Sequence, residues 1–204
     1  MTTLRYHWMW LANSYLTLSK LGIDKIEKDA TYNENNSIAC AIIFNIKHSI
    51  ELILKCLTVT ASTGESYEQK HDLRKLSILL RKVSRTKSQD LIKLMAIAEK
   101  YYNLDFWGGK LKQDGFCDSE NEVFRYPTSS KGGYVLDMQK MKGLKPDDIM
   151  ELTNDVRELE RIGSRIYRII RRKKMTLTPY HQARLIVSIC SPRRSKRKVS
   201  LWNN

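Results

Sequence analysis

An all-α fold is predicted: a four- to five-helix up-and-down bundle with a Gly-rich loop or short hairpin insertion before the last long helix. Three observations predict it. Apolar residues recur at steps of three and four along most of the 204 residues, the period of an amphipathic helix. Hydrophobic residues at 42% and charged residues at 28% are enough to bury a core, which excludes a disordered chain. The four cysteines, Cys40, Cys56, Cys117 and Cys190, are too scattered for a disulfide scaffold and form no C-x-x-C pair.

The elements follow in order. Leu4, Trp8, Leu11, Tyr15 and Leu18 define the apolar face of a first helix, with Gly22 as its stop. Asn35, Asn36 and Ser37 offer a cap for a second helix from Ser37 to Thr60, whose stripe is Ile38, Ile42, Ile46, Ile50, Ile53 and Leu57. Asp72 is positioned to cap a third helix carrying Leu73, Leu76, Leu79, Leu80 and Val83. Ser88 is positioned to cap a fourth with Leu91, Leu94, Met95 and Ala98. From Asp105 to Tyr134 the helical period fails, and five of the nine glycines lie there. Glu122 to Tyr126 and Tyr134 to Asp137 flank a Gly-containing turn and are read as a short hairpin. Pro146, Asp147 and Asp148 open the last long helix, with acids at the positive end of its dipole. Its apolar face is Leu152, Val156, Leu159, Ile162, Ile166, Ile169 and Ile170. Residues 1–175 are thus read as the bundle, and 176–204 as a short helix and a basic tail.

Charge is distributed unevenly. The net charge is +14, yet from Arg161 to Asn204 there are 13 basic residues and no acid, while the rest nearly cancels. A block of this kind calls for a polyanionic partner. Arg157, Arg161, Arg165, Arg168 and Arg172 fall at steps of four and three on one face of the last helix, with no acid after Glu160 to pair them at helical spacing. The Ser37–Val59 stretch is the most apolar, but Asn45, Lys47, His48, Glu51 and Lys55 interrupt it, so no transmembrane segment is expected. The N-terminus lacks the layout of a signal peptide, and a cytoplasmic location with reduced thiols is expected.

Three pieces, in this order, resemble one family: Ile50-Glu51-Leu52-Ile53-Leu54-Lys55 within the second helix, Lys70-His71-Asp72-Leu73 at the start of the third, and Phe124-Arg125-Tyr126-Pro127 ahead of the last. Together they resemble the HEPN-type domain, a helical bundle common in prokaryotic toxin–antitoxin, abortive-infection and RNA-processing proteins. The resemblance spans Asn33 to Arg172. It implies a helical bundle, frequently homodimeric, and in many members a metal-independent ribonuclease with Arg, four to six residues, then His. None of His7, His48, His71 and His181 has an Arg at that distance; Lys174 before His181 comes nearest. Some members that have lost the motif serve as binding or assembly modules.

The expected function is therefore RNA binding through the C-terminal basic face, as a homodimer, in a defence or toxin–antitoxin context. Arg161, Arg165, Arg168, Arg171, Arg172, Lys173 and Lys174 would contact phosphates, and Arg193, Arg194, Lys196, Arg197 and Lys198 would add an electrostatic arm. The alternative is a metal-independent endoribonuclease, with His71, His48 or His181 as base and Arg125 or a C-terminal Arg on the phosphate. A third reading is a protein-interaction module whose tail meets an acidic partner. Without the motif, His71 and Asp72 read as a helix start, with His71 tied to a nearby backbone group, and His48 with Glu51 reads as a polar patch at a helix interface. Trp8, Trp10 and the Tyr101–Tyr102 pair are the aromatics considered for base stacking, with Trp8 read as core. No cofactor is expected, and no metal site, since no third donor stands at ligand spacing.

Overall fold

The computed structural model describes residues 2–29, 36–61, 71–83, 88–109, 111, 117–120, 123–124 and 145–172. They form helices α1 (Thr2–Lys28), α2 (Asn36–Ala61), α3 (Leu73–Val83), α4 (Gln89–Tyr102) and α5 (Pro146–Arg172), with a 3-10 turn at Trp107–Gly109. No strand occurs among the described residues. The fold is an all-α bundle, as the periodicity predicts.

The second helix is the axis of the bundle. Every residue from Ile50 to Thr60 is buried, the pattern of a helix enclosed on all sides. Helices α1, α5, α4 and α3 pack in that order around it. Helix α1 runs antiparallel to α2: Ala12 lies at Ser49, whose hydroxyl donates to the Ala12 carbonyl at 3.1 Å, while Gly22 lies at Ile42. Helix α5 is antiparallel to α1, with Asn13 against Gly163 and Tyr6 against Tyr167. It is also antiparallel to α4, pairing Lys93 with Glu158 at 3.1 Å and Lys100 with Glu151 at 2.9 Å.

Caps act where the sequence places them. The Ser88 hydroxyl accepts the Leu91 amide at 3.1 Å, and the Asp72 carboxylate accepts the Lys75 amide at 2.9 Å. Two expectations for α1 are corrected. Its buried face is Met9, Ala12, Leu16, Ser19, Ile23 and Ile26, whereas Leu4, Leu11 and Leu18 are exposed. Both sets have helical period, and only the partner helix α2 decides which is covered. Gly22 does not stop the helix, which continues to Lys28. Its missing side chain lets α2 approach: a Cβ there would sit 2.8 Å from Ile42 Cγ1.

The aperiodic segment after α4 closes the lower part of the core. Leu104 and Trp107 adopt φ of 54° and 56°, the left-handed region that costs non-glycine residues conformational energy. The turn is held by the Trp107 amide donating to Glu151 at 2.9 Å, and by Phe106 stacked on Tyr101 with centroids 5.1 Å apart. Tyr101 is fully buried and donates its hydroxyl to Asp155 at 3.1 Å; Tyr102 is also buried, so neither tyrosine is open to stack a base. Of the expected hairpin, Val123 and Phe124 lie in a turn, and the remaining strand residues are outside the described residues, as is the 176–204 segment.

Candidate functional site

Two polar constellations stand out. The first runs along one edge of α2, where Lys47, Glu51 and Lys55 follow at four-residue steps and so share a face. Lys47 is fully buried. Its ammonium donates to the Asp118 carbonyl at 2.9 Å, pairs with the Asp118 carboxylate and lies 5.6 Å from the centre of the Phe124 ring. Burial pushes the Lys47 ammonium down, and Asp118 opposes that.

One turn further along α2, Glu51 gathers three nitrogen groups. The Lys55 ammonium and His71 Nδ1, the latter at 2.9 Å, meet Glu51 Oε1, and His48 Nδ1 is 3.4 Å from Oε2. Burial acts to raise the Glu51 carboxyl, but hydrogen bonds from His48 and Lys55 and the charge of both outweigh it and hold it below the usual carboxylate range. A carboxylate only accepts, so each imidazole facing it through Nδ1 carries its proton there and keeps Nε2 for another partner. His48 is wedged between Tyr15, edge-on at 4.7 Å, and Phe44, stacked at 5.8 Å. His71 is 62% exposed. The expected tie of His71 to a backbone group is thus replaced by a side-chain tie to Glu51 from another helix, a contact that sequence spacing does not reveal.

The second constellation is the arginine ridge of α5. Arg157, Arg161, Arg168 and Arg171 are exposed, and Arg165 is partly so. The absence of later acids in α5 does not leave the whole ridge unpaired. Asp90, in the first turn of α4, pairs with both Arg161 and Arg165, and Glu158 bonds Arg161 Nη2 at 2.8 Å. Hydrogen bonds from Arg161 hold Glu158 down at about 2 despite the opposing effect of burial. Arg168 donates to the Ser164 carbonyl at 3.2 Å, and neither it nor Arg157 or Arg171 has a carboxylate partner among the described residues.

On the other flank of the ridge, an open groove of about 560 Å³ separates α5 from α1, lined by Asn13, Thr17, Arg157, Glu160, Arg161 and Ser164. The meeting of its α1 wall with Glu160 of α5 has no signal in local sequence, because the two helices are more than a hundred residues apart in the chain. The ridge and the imidazoles do not come together. Ile53 of α2 faces Gly163 of α5, and Glu51 stands about 200° around the helix from Ile53. Arg125, His181, Lys173, Lys174, Arg193, Arg194, Lys196, Arg197 and Lys198 lie outside the described residues, and the Arg172 side chain is not described. No helix is long and apolar enough to cross a membrane among the described residues. Compared with protein-family models, curated proteins and solved structures, the chain matches none.

Proposed function

We propose that the chain is a HEPN-like helical module that binds RNA through the arginine ridge of α5 and the basic segment following it, in the defence or toxin–antitoxin setting that the resemblance implies. The observation that carries this reading is the ridge itself: exposed guanidinium groups at helical spacing, three of them without a carboxylate partner among the described residues, continuous in sequence with a run that holds no acid to the last residue. Like charges so placed repel one another, and phosphates relieve the repulsion. Asp90 tempers the ridge at Arg161 and Arg165 and holds their side chains in a fixed array. What supports the family reading within the described residues is that His71 of the second piece meets Glu51 of the first, and that the Lys47 ammonium lies over the ring of Phe124, the one described residue of the third.

One observation favours the ribonuclease alternative. Two imidazoles are oriented by a single buried carboxylate, each with Nε2 left for proton transfer. The exposure of His71 suits a base, while the aromatic wedge around His48 suits a packing role. A single gel series separates the two readings. Labelled single-stranded RNA, without added metal and over a range of salt, is run on native and denaturing gels. A shift of intact RNA that weakens steeply with salt is expected. A shift insensitive to salt would sink the ridge as the binding surface. Shortened RNA whose appearance is abolished by His71→Ala would establish the enzyme instead.

A further inference from the structure

We infer that the groove between α1 and α5 seats a single strand of RNA and that Glu160 accepts a hydrogen bond from a 2′-hydroxyl in it. This rests on the RNA-binding reading above and adds the form of the strand and the group recognised.

The groove offers a mixed lining. Arg157 presents positive charge on its α5 wall, Arg161 beside it is held by Asp90 and Glu158, and Asn13, Thr17 and Ser164 present neutral hydrogen-bonding groups. Glu160 lies among them with no ion pair among the described residues. A carboxylate in a phosphate-binding groove repels the backbone it is meant to hold unless it meets a donor. It can only accept. Within a sugar–phosphate chain, the 2′-hydroxyl is the donor that RNA has and DNA lacks. A groove that sets the unpaired Arg157 guanidinium beside one unpaired carboxylate therefore fits a ribose next to its phosphate better than it fits deoxyribose.

The single-stranded form follows from what adjoins the groove. Tyr6, Trp10, Asn13 and Thr17 fall at steps of four, three and four, so they share one stripe of α1. Trp10 thus continues the groove wall one turn beyond Asn13, and its side chain is 57% exposed. Beyond it Tyr6 meets Tyr167 of α5, their rings 5.1 Å apart. Three aromatic rings thus stand at the end of the groove. An unpaired base has a free face to stack on such a shelf, whereas duplex bases are already stacked on one another. Trp10 lies outside the buried core, so its ring is available for such stacking.

The test is fluorescence anisotropy on the full-length chain at fixed salt. The probes are uridine oligomers of about 12 nucleotides, one ribo and one deoxyribo, matched in length to a single-strand binding surface. The wild type is expected to bind the ribo-oligomer about tenfold more tightly, the scale of one hydrogen bond to a charged group. Glu160→Ala should bring the ratio of the two affinities to about one, and Glu160→Gln should leave it in between; a general gain from removing negative charge cancels in the ratio. Trp10→Ala should weaken both oligomers about tenfold. Equal affinities in the wild type, or a ratio that survives Glu160→Ala, would overturn the assignment of Glu160 while leaving RNA binding standing. Loss of neither oligomer on Trp10→Ala would overturn the shelf. Failure of the wild type to bind either one would overturn the RNA-binding reading itself.

Discussion

Glu51 shows how one residue organises a region that has no chemistry of its own in the linear sequence. It is buried, and Lys55 beside it on the same helix is buried too. Removing the carboxylate leaves that ammonium without its counter-charge, a loss of about 3–5 kcal/mol for a broken buried pair. Glu51→Gln is therefore expected to lower the unfolding free energy by that order, read as a lower urea midpoint at an unchanged denaturant slope. A loss below about 0.5 kcal/mol would show that Lys55 finds water instead. Acid sensitivity has a definite sign at this residue. The Glu51 carboxyl titrates below its ordinary 4.5 in the folded state, so its contribution is present above that value and is lost as the pH falls through the lower folded value. The variant is accordingly expected to lose less stability than the wild type on acidification below pH 4.5, measured as urea midpoints at successive pH values.

At the scale of elements, two glycines in helices have opposite meanings. In an exposed helix, glycine to alanine gains about 1 kcal/mol of backbone entropy and propensity. At Gly22 the new Cβ would stand 2.8 Å from Ile42 Cγ1, and Ile42 is buried with no room to retreat. Overpacking of that kind costs about 1–3 kcal/mol, so Gly22→Ala is expected to destabilise on balance. At Gly163 the nearest atom is Asn13 Oδ1 at 3.1 Å, and Asn13 borders the open groove where its amide can swing aside. Gly163→Ala is expected to be neutral or stabilising by up to about 1 kcal/mol. Thermal unfolding of the two variants side by side checks both signs. A stabilised Gly22→Ala would mean that α1 and α2 separate more easily than their packing implies.

At the scale of the whole molecule, the surface of α1 bears on assembly. Leu4, Leu11 and Leu18 are exposed at seven-residue intervals, with Leu21 one turn beyond the last. A seven-residue apolar repeat on a helix is self-complementary with a second copy of itself. The homodimer expected from the family resemblance is proposed to form there. Light scattering on the purified protein should give twice the chain mass, and Leu11→Glu with Leu18→Glu should give the chain mass itself. A wild type that stays monomeric at high concentration would remove this role for the stripe.

Much of the fold was legible in the sequence for local reasons. Helix period, caps at Asp72 and Ser88, and the Pro-Asp-Asp opening of α5 act between residues close in the chain, and each appears where it was read. The phase of α1 was not legible, because Leu4-Leu11-Leu18 and Met9-Leu16-Ile23 are equally periodic and only contact with α2 decides which is buried. The candidate sites divide in the same way. The arginine ridge follows from spacing alone, since residues three and four apart share a helix face. The pairing of Asp90 with Arg161 and Arg165, the gathering of His71 and His48 on Glu51, and the groove that sets Glu160 opposite Asn13 and Thr17 join residues from separate helices. Sequence by itself determined the helices and where the charge lies along them. Tertiary structure decided which charges are spent on one another and which remain for a ligand, because charges distant in the chain meet only when their helices pack.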